Sequence, residues 1–412
     1  MTGNVTTTML DPLKYRPMFP GLDRKVNGRP MVYLDNTATS QTPRSVVDAV
    51  VESYYGRKAN VHRGVHTLAQ EATAAMEQTR RRVAAFINAA SADEIIFTRG
   101  TTEAINLVAA SYGSLLNDGD EIIITVMEHH ANIVPWQLLQ QRKQIIIKAV
   151  PILADGSLDL DEYRRLFTPR TRLAAFTHVS NVLGTVNPVK EMAQYAHSQG
   201  VTVLVDGAQA VPHMAVDVRD IGADFYVFSA HKMYGPCGVG VLYGRRELLE
   251  AMPPYQGGGE MIGHVSLTGT TWADLPYKFE AGTPDFVDVA AMSRAIDFIE
   301  GAGYDNIQAH EQELLDYTTA GMMKIPGIRI FGTAPHKSAV ISFLIGHAHH
   351  YDTGVLLDQL GVEVRTGHHC AQPLMETLGI EGTVRASFAL YNTREEADIF
   401  LAALKRIVPM LM

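Results

Sequence analysis

The stretch VTVLVDGAQ at residues 201–209 decides the fold, because an apolar, largely β-branched run passes directly into an aspartate and a glycine. The same order recurs in IIFTRGTT at residues 95–102 and in FYVFSAHK at residues 225–232. Four further apolar runs have strand character: Ile122–Ile124, Ile145–Ile147, Leu173–Phe176 and Val239–Tyr243. Helical candidates at residues 104–112 and 189–197 lie between these runs. Apolar strands alternating with helices predict an α/β fold with a mostly parallel sheet covered on both faces.

After about residue 270 the pattern changes, and helical stretches at 287–302 and 307–324 precede a smaller α/β unit. Within that unit we predict strands at 339–344, 362–365 and 384–388, a helix at 352–360, and a final helix after Asn392-Thr393. The chain is therefore predicted to comprise an N-terminal segment (1–23) packing with the small domain, a large domain (24–272) and a small C-terminal domain (273–412).

Composition narrows the function classes. A net charge of −9 and 19% charged residues are ordinary for a globular enzyme. No run of Lys and Arg resembles a nucleic-acid-binding arm, and no stretch of about 18 apolar residues is present to cross a bilayer. The first ten residues lack a secretory pattern, so we expect a cytoplasmic location without a nucleic-acid or membrane partner. Two cysteines, Cys237 and Cys370, exclude a disulfide framework and a multi-cysteine metal site within the chain.

The polar residues at three strand ends together match the needs of pyridoxal phosphate (PLP). The cofactor requires a lysine amine for its aldehyde, which Lys232 offers, and a carboxylate beside its ring nitrogen, which Asp206 offers. Its phosphate requires N–H groups and hydroxyls at a helix N-terminus, as in the Gly100–Thr102 turn. Taken singly, Asp206 is more simply a turn residue, Lys232 a surface charge, and the Gly100–Thr102 turn a helix cap. The candidate cofactor-binding residues are Lys232, Asp206, Thr101, Thr102, Ser229 and His231.

A second group of candidates lies in the small C-terminal unit. Cys370 follows a Gly-His-His sequence, and neighbouring His and Arg side chains would favour the thiolate form of a nucleophile; the alternative is a buried, inert thiol. Arg385 lies in an apolar strand and must find an anion there. An amino-acid carboxylate fits its guanidinium fork, and a structural salt bridge is the alternative. Arg365 supports either the loop or the same carboxylate.

A cluster of histidines raises the question of a metal site: His347, His349, His350, His368 and His369. These residues fall on separate predicted elements, and apart from Asp352 no carboxylate lies at ligand spacing. We therefore predict no metal.

The ordered motifs of the chain resemble one family. They run from about Asp23 to the C-terminus: LDN (34–36), VHRG (61–64), RGTTE (99–103), MEHHAN (127–132), VDGAQ (205–209), SAHK (229–232), EAGTP (280–284) and RTGHHCA (365–371). The chain is thereby similar to the class V aminotransferase family of fold-type I PLP enzymes, and specifically to its group II (SufS-like) cysteine desulfurases. The resemblance implies a PLP-dependent transferase fold of type I, with a mostly parallel seven-stranded sheet in the large domain, a smaller α/β C-terminal domain, and a homodimer.

The resemblance also implies an activity, which is the conversion of L-cysteine to L-alanine with a persulfide left on Cys370. A small acceptor protein would take this sulfur for iron–sulfur cluster assembly. Further roles are implied by the same resemblance: Lys232 carries the cofactor and removes a substrate proton, His129 stacks on the ring and assists catalysis, Gln209 bonds the ring's phenolic oxygen, Asn181 and Arg385 hold substrate, and Thr283 contacts the phosphate of the neighbouring subunit.

Two departures and three rival interpretations accompany this resemblance. Cys237 stands where relatives often carry another small residue, and residues 36–39 replace a more alanine-rich stretch. A selenocysteine lyase or another PLP lyase would use the same scaffold. An ordinary aminotransferase has no use for Cys370. The third rival is an interaction protein that keeps the scaffold without PLP.

Overall fold

The computed structural model describes residues 10–412. In chain order the strands are β1 (Lys25–Val26), β2 (Arg29–Pro30), β3 (Val32–Tyr33), β4 (Ile95–Thr98), β5 (Glu121–Thr125), β6 (Ile146–Val150), β7 (Thr171–Thr177), β8 (Thr202–Asp206), β9 (Phe225–Ser229), β10 (Gly240–Gly244), β11 (Ile262–Ser266), β12 (Gly269–Trp272), β13 (Ile328–Phe331), β14 (Val340–Ile345), β15 (Val362–Glu363), β16 (Arg365–Gly367) and β17 (Thr383–Ser387). The helices are α1 (Pro12–Tyr15), α2 (Arg44–Gly56), α3 (Thr67–Phe86), α4 (Thr101–Leu115), α5 (Val134–Gln140), α6 (Leu160–Arg165), α7 (Val189–Ser198), α8 (Val218–Ile221), α9 (Arg246–Ala251), α10 (Phe286–Ala302), α11 (Tyr304–Met322), α12 (His350–Asp358), α13 (Gln372–Leu378) and α14 (Arg394–Leu411). Within residues 10–412, no helix is both long and apolar enough to cross a membrane.

A seven-stranded sheet with the order β4-β10-β9-β8-β7-β5-β6 forms the centre of the larger part. Its strands run parallel except β10, which is antiparallel to both of its neighbours. Alternate side chains enter two separate cores, so Ile95 packs on one face of the sheet and Ile96 on the other. Burial on both faces explains why these strands are continuously apolar. The predicted fold class is confirmed, and the predicted strands differ from the observed ones only at their ends.

The carboxyl ends of the parallel strands meet at one edge of this sheet. Thr177 at the end of β7 pairs with Asp206 at the end of β8, and Ser229 ends β9 next to them. In open α/β sheets ligands bind in the crevice at this edge. The fold therefore brings the polar residues that follow different strands into one region.

One close backbone approach fixes where helix α4 begins. A Cβ added to Gly240 of β10 would lie 2.3 Å from the Cα of Gly100, which precedes α4. Gly100 itself has φ +153°. The turn from β4 into α4 therefore requires glycine at position 100, and the adjacent strand β10 requires glycine at position 240.

The smaller C-terminal unit is built on an antiparallel sheet of order β13-β14-β17-β16. Helices α11, α12 and α14 contribute Leu314, Leu357 and Phe400 to its core. At the start of α14 the backbone N–H of Glu396 donates to Thr393 Oγ1 (3.2 Å), and the N–H of Thr393 donates to Glu396 Oε2 (3.0 Å). This reciprocal cap confirms the predicted final helix.

The predicted strand at residues 362–365 is wrong as a single element. Strand β15 pairs in parallel with β3, whereas β16 pairs with β17, so the chain changes sheets at Val364. An apolar sequence of this length indicates an extended backbone but does not identify its partner. The correction matters because Cys370 follows β16, whose position is set by the small sheet.

The predicted N-terminal segment (1–23) is described only from residue 10 onward, and residues 1–9 lie outside the described part. Arg16 forms a salt bridge of 2.8 Å with Glu396, and the rings of Phe19 and Tyr391 lie 4.7 Å apart. Phe19 also packs edge-on against Phe298 at 5.3 Å. Residues 16–19 thus contact the C-terminal part of the chain.

Candidate active site

A cleft of about 450 Å³ lies at the carboxyl edge of the large sheet and is lined by both parts of the protein. With the exception of Thr283, the predicted cofactor and substrate residues line it: Thr101, Thr102, His129, Asn181, Asp206, Gln209, Ser229, His231, Lys232, Arg365, Cys370 and Arg385. The predicted amine, carboxylate and thiol therefore share one cavity. The chemical roles of these three groups stay predictions.

Asp206 is the last residue of β8 and is 4% exposed. Burial raises its pKa, while the hydrogen bond from the Ala208 N–H (2.9 Å to Oδ1) and the charge of Lys232 lower it. The backbone here lies against the ring of Tyr226, because a Cβ on Gly207 would come within 2.1 Å of it. A buried carboxylate of this kind is stabilised by a cationic ring nitrogen in contact with it.

Lys232 ends the short turn Ala230–Lys232 that directly follows β9. Burial lowers the pKa of its amine, and the nearby charge of Arg385 lowers it further, whereas Asp206 raises it. At neutral pH a larger fraction of this amine is uncharged than in an exposed lysine. The uncharged amine is the form that attacks an aldehyde or accepts a proton.

The start of α4 places hydrogen-bond donors at the cleft. The Ser229 Oγ accepts a hydrogen bond from the Thr101 N–H (2.8 Å) and lies 2.7 Å from Thr101 Oγ1. Gly100, at the N-cap position, supplies no side-chain acceptor to the first-turn N–H groups. Burial lowers the pKa of the His231 imidazole to about 4, and its Nδ1 lies 3.2 Å from Thr39 Oγ1. Hydroxyls beside a helix N-terminus whose N-cap residue has no side-chain acceptor suit a phosphate group.

The His129 side chain lines the cleft as a neutral imidazole. Burial lowers its pKa to about 3, and the charge of Lys232 contributes to this shift. Its Nδ1 accepts a hydrogen bond from the Ala131 N–H (3.0 Å), so the ring proton resides on Nε2. A neutral ring with one free N–H group is suited to stack on an aromatic ligand and to donate one hydrogen bond.

Sequence reasoning missed the residue that supports this turn. Glu128 is fully buried, and its carboxyl group accepts hydrogen bonds from Thr125 Oγ1 (2.6 Å), Asn132 Nδ2 (2.7 Å) and the Thr177 N–H (2.9 Å). Burial raises its pKa to about 8. Glu128 thus ties the turn that carries His129 to the ends of β5 and β7. An acidic residue three positions after a buried strand was the available sequence signal.

Gln209 and Thr37 also line the cleft. The Gln209 Nε2 donates a hydrogen bond to the Thr37 carbonyl oxygen (2.7 Å). Thr37 Oγ1 is buried and has no hydrogen-bond partner among the described residues. Because an unpaired buried hydroxyl costs free energy, this atom is suited to bond a ligand in the cleft.

Arg385 on β17 is the buried cation of the site, with 2% of the residue exposed. Its Nη1 donates to the backbone oxygen of Asn181 (3.0 Å), its Nη2 lies 3.5 Å from Asp35 Oδ1, and its Nε has no partner among the described residues. Burial lowers its pKa to about 10, so it stays charged at neutral pH. An incompletely bonded, buried guanidinium is suited to bind a small carboxylate.

Arg365 is already occupied by a carboxylate of the protein. Its Nε lies 3.0 Å from both oxygens of Asp35, and its Nη2 lies 2.7 Å from Oδ2. Its side chain is half-exposed, with 50% accessibility. In this arrangement Arg365 fixes β16 to the segment after β3, and Arg385 is the cation with free donor capacity.

The Cys370 thiol lies on a short loop between β16 and α13, where it is exposed. His369 and Cys370 have φ values of +52° and +56°, a region that non-glycine residues rarely adopt. The loop is held by hydrogen bonds from neighbouring segments, including one from Asn181 Nδ2 to the His369 oxygen (2.8 Å). The cysteine is thus presented to the cleft by a strained but anchored loop.

Two imidazoles lie beside this thiol. Ligand atoms of His130, His368 and Cys370 fall within 4.8 Å of one another, a grouping that was not predicted from the sequence. The His368 Nδ1 accepts a hydrogen bond from the Cys370 N–H (3.0 Å), and the His130 Nε2 accepts one from the Gln372 N–H (3.1 Å). A metal ion bound through these same two nitrogens would break both hydrogen bonds.

Two residues singled out from the sequence lie outside the cleft. Thr283 lines a separate cleft with Arg99 and Glu280 and does not line the cleft of Lys232. Its predicted contact is with the cofactor phosphate of a neighbouring subunit, and a single chain leaves that prediction untested. Cys237 is an exposed free thiol beyond the Lys232 turn.

The cleft fits PLP on the chemistry of its donors. Lys232 supplies an amine, Asp206 a buried carboxylate, and Ser229 with the α4 terminus an anion site. The unpaired hydroxyl of Thr37 and the unpaired Nε of Arg385 provide further donors for a polar ligand. These features satisfy the requirements of the ring nitrogen, the aldehyde, the phosphate and an amino-acid carboxylate in one cavity.

Comparison with known sequences identifies the family of the chain. The profile of the family described as aminotransferase class-V matches residues 32–400. A cysteine desulfurase of Dickeya dadantii (strain 3937) is 52% identical over 400 residues, which cover 97% of this chain and 97% of that protein. A cysteine desulfurase of Yersinia pestis (strain Pestoides F) is likewise 52% identical over 400 residues, covering 97% of this chain and 98% of that protein.

Solved structures share the architecture. The cysteine desulfurase CsdA of Escherichia coli, in an S-sulfonic acid form, aligns with a TM-score of 0.91 at 40% identity over 98% of this chain and 100% of that chain. The apo cysteine desulfurase of Thermococcus onnurineus NA1 aligns with a TM-score of 0.90 at 39% identity over 95% of this chain and 99% of that chain. A C-DES mutant with glycine covalently linked to its PLP cofactor aligns with a TM-score of 0.82 over 95% of this chain and 98% of that chain; at 23% identity that likeness is one of fold.

Proposed function

This chain belongs to the aminotransferase class-V family and is a PLP-dependent cysteine desulfurase, and we propose that Lys232, Asp206 and Cys370 carry its chemistry. The observation that supports these roles is the opening of an amine, a buried carboxylate and an exposed thiol onto one cleft. The substrate is L-cysteine, and the products are L-alanine and a persulfide on Cys370. An aminotransferase would need no thiol at this position.

Bound PLP would supply an aldehyde for the lysine amine and an electron-withdrawing ring for the reacting carbon. Lys232 would hold it covalently, and Asp206 would keep its ring nitrogen protonated. The Thr101–Thr102 turn, with Ser229 and His231, would bind its phosphate. Stacking by His129 and hydrogen bonding by Gln209 would complete the set of contacts.

Arg385 and Asn181 would orient the substrate. The guanidinium of Arg385 is buried, charged and incompletely bonded, so it would bind the α-carboxylate of L-cysteine. Asn181 holds both the guanidinium, through its backbone oxygen, and the thiol loop, through its side chain. Arg365 would act indirectly, since its fork is engaged by Asp35.

Lys232 is suited to move the proton at the substrate Cα. Burial lowers the pKa of its amine, which favours the uncharged form that can accept a proton. The neutral His129, with its N–H on Nε2, would donate a hydrogen bond or a proton within the same cleft. Both groups sit on rigid strand-end turns, which is what precise positioning requires.

Cys370 completes the reaction as a nucleophile. Its thiolate attacks the sulfur of the bound substrate, a sulfur–sulfur bond forms, and the substrate carbon–sulfur bond breaks. The electron pair of that bond stays with carbon, which takes up a proton and becomes the methyl group of alanine. The net change is one thiol plus L-cysteine giving one persulfide plus L-alanine, so no external oxidant is required.

We propose further that the persulfide is passed to a small acceptor protein, for iron–sulfur cluster assembly, and that the enzyme works as a cytoplasmic homodimer. The exposure of Cys370 supports transfer to a second protein, and two exposed free thiols suit a reducing compartment. Exposed Tyr55 and Val65 offer apolar surface for a second copy. A dimeric mass in light scattering, lost on Tyr55→Asp, would support the assembly; a monomeric wild-type enzyme would contradict it.

The decisive experiment measures alanine formed from L-cysteine by the holoenzyme. Cys370→Ala should retain the cofactor's absorbance and lose alanine formation by at least about 100-fold, because the sulfur has no acceptor. Cys237→Ala is the matched control and should remain as active as the wild type. Full activity of Cys370→Ala would refute the nucleophile, and wild-type activity that depends on an added keto acid would indicate an aminotransferase instead.

A further inference from the structure

We propose that His130 is a positioning residue that fastens the Cys370 loop to the larger part of the protein. This inference rests on the proposed function, because it concerns how the thiol is presented to the substrate sulfur. His130 lies next to His129, whose ring lines the cleft. The residue after a cofactor-contacting histidine would thus hold the sulfur-accepting loop.

His130 contacts the loop at two points. Its backbone N–H donates a hydrogen bond to the carbonyl oxygen of Cys370 (2.6 Å). Its imidazole Nε2 accepts a hydrogen bond from the N–H of Gln372 (3.1 Å). These two hydrogen bonds lie on either side of Ala371, so one residue of the larger part holds both flanks of a three-residue segment.

The loop requires such restraint. His369 and Cys370 occupy the left-handed region in succession, which is unfavourable for residues with a Cβ unless surrounding contacts hold them. The Asn181 side chain holds the His369 carbonyl, upstream of the thiol. His130 holds the downstream side, and the two residues together fix the direction of the Cys370 side chain.

The imidazole is in the correct form for this contact. An Nε2 that accepts a hydrogen bond must be unprotonated, with the ring proton on Nδ1. Burial lowers the pKa of His130, and the neighbouring His368 lowers it further, so the ring is neutral at neutral pH. The His368 ring is 5.5 Å away, centroid to centroid.

Hydrogen exchange of the holoenzyme tests the contact without reference to catalysis. His130→Ala removes the acceptor for Gln372, and the peptide spanning 368–372 should exchange at least about fivefold faster, the factor expected for one hydrogen bond. His130→Gln places Oε1 near the position of Nε2 and should restore protection. His130→Asn places its oxygen near the position of Nδ1 and should not.

Steady-state kinetics provides the second readout. Misplacing the thiol should lower kcat for alanine formation at least about tenfold in His130→Ala, with the KM for L-cysteine nearly unchanged, because Arg385 still binds the carboxylate. His130→Gln should recover most of kcat, and His130→Asn should not. A merely structural role would not distinguish the glutamine variant from the asparagine variant.

A variant on the other partner covers the case in which substitution of His130 impairs folding. Gln372→Pro removes the donor N–H at the first position of α13, where proline is tolerated. Amides 368–371 should then exchange faster and kcat should fall. Unchanged exchange and kcat in both His130→Ala and Gln372→Pro would overturn the proposal. If the wild type forms no alanine, the proposed function fails, while hydrogen exchange still decides whether His130 holds the loop.

Discussion

Replacing Arg385 by methionine tests how the substrate is held. In the structure the guanidinium is 2% exposed and its Nε has no partner among the described residues, so a substrate carboxylate would gain two charge-assisted hydrogen bonds there. At about 1.5 kcal/mol for each bond, the loss is about 3 kcal/mol, or about 100-fold in affinity. We expect the KM for L-cysteine to rise by about this factor in an assay of alanine formation.

The same substitution should leave the fold and the cofactor intact. Asp35 keeps its hydrogen bonds from Arg365 when Arg385 is removed, so no carboxylate is left without a partner. The visible absorbance of bound PLP should therefore persist. Arg329→Met is the matched control, since Arg329 is exposed on β13 of the same sheet and its loss should not change KM. A KM within about threefold of the wild-type value in Arg385→Met would refute this assignment of the carboxylate site.

Three further substitutions test the roles of Lys232, Asp206 and Glu128. Lys232→Ala should abolish the absorbance of covalently held cofactor, and a retained band would place the linkage on another amine. Asp206→Asn should bind PLP but form alanine about 100-fold more slowly, because an amide does not hold the ring nitrogen protonated; an unchanged kcat would contradict this. Burial raises the pKa of Glu128 from 4.5 to about 8, so the folded protein holds a proton there that the unfolded chain releases. Stability from this group is present below pH 4.5 and is lost as the pH rises to about 8. Chemical denaturation of Glu128→Gln should show a flatter decline across that window, and parallel profiles would show that Glu128 does not titrate in this way.

The large sheet could be predicted because its signal is local. Runs such as residues 201–205 and 225–228 are continuously apolar and end in polar residues, which indicates buried parallel strands without knowledge of their partners. The parallel arrangement then brings the strand ends to one edge. For this reason the amino-acid sequence alone is enough to place Asp206 and Lys232 near each other.

Features that depend on a distant partner could not be predicted. The run 362–365 has strand character throughout, yet its two halves join different sheets. Its first half pairs with β3 and its second half pairs with β17. The hairpin β11–β12 and strand β13 were not predicted, and the sequence offers only short, mixed runs there. Local propensity is a weak guide where tertiary pairing decides.

The candidate site shows the same division. The types of residue needed for PLP could be read from motifs, and so could the thiol. The partners of Arg385 and Arg365 could not, since both arginines lie near Asp35 and only their geometry shows which fork is already filled. The supporting roles of Glu128 and His130 were likewise hidden, because they depend on hydrogen bonds between segments far apart in sequence.

The parallel pairing of β3 with β15 has a consequence for biosynthesis. Val32 of β3 pairs with Val362 of β15, which lies 330 positions later in the chain, so this pairing closes a very long loop. During translation β3 cannot pair with β15 until nearly the whole polypeptide has been synthesised. Apolar Val32 and Leu34, which are buried in the folded protein, stay exposed until then. Contacts of such long range slow folding and expose the nascent chain to aggregation. The protein is therefore expected to refold slowly and to benefit from a chaperone that shields the strand around Val32 until its partner arrives.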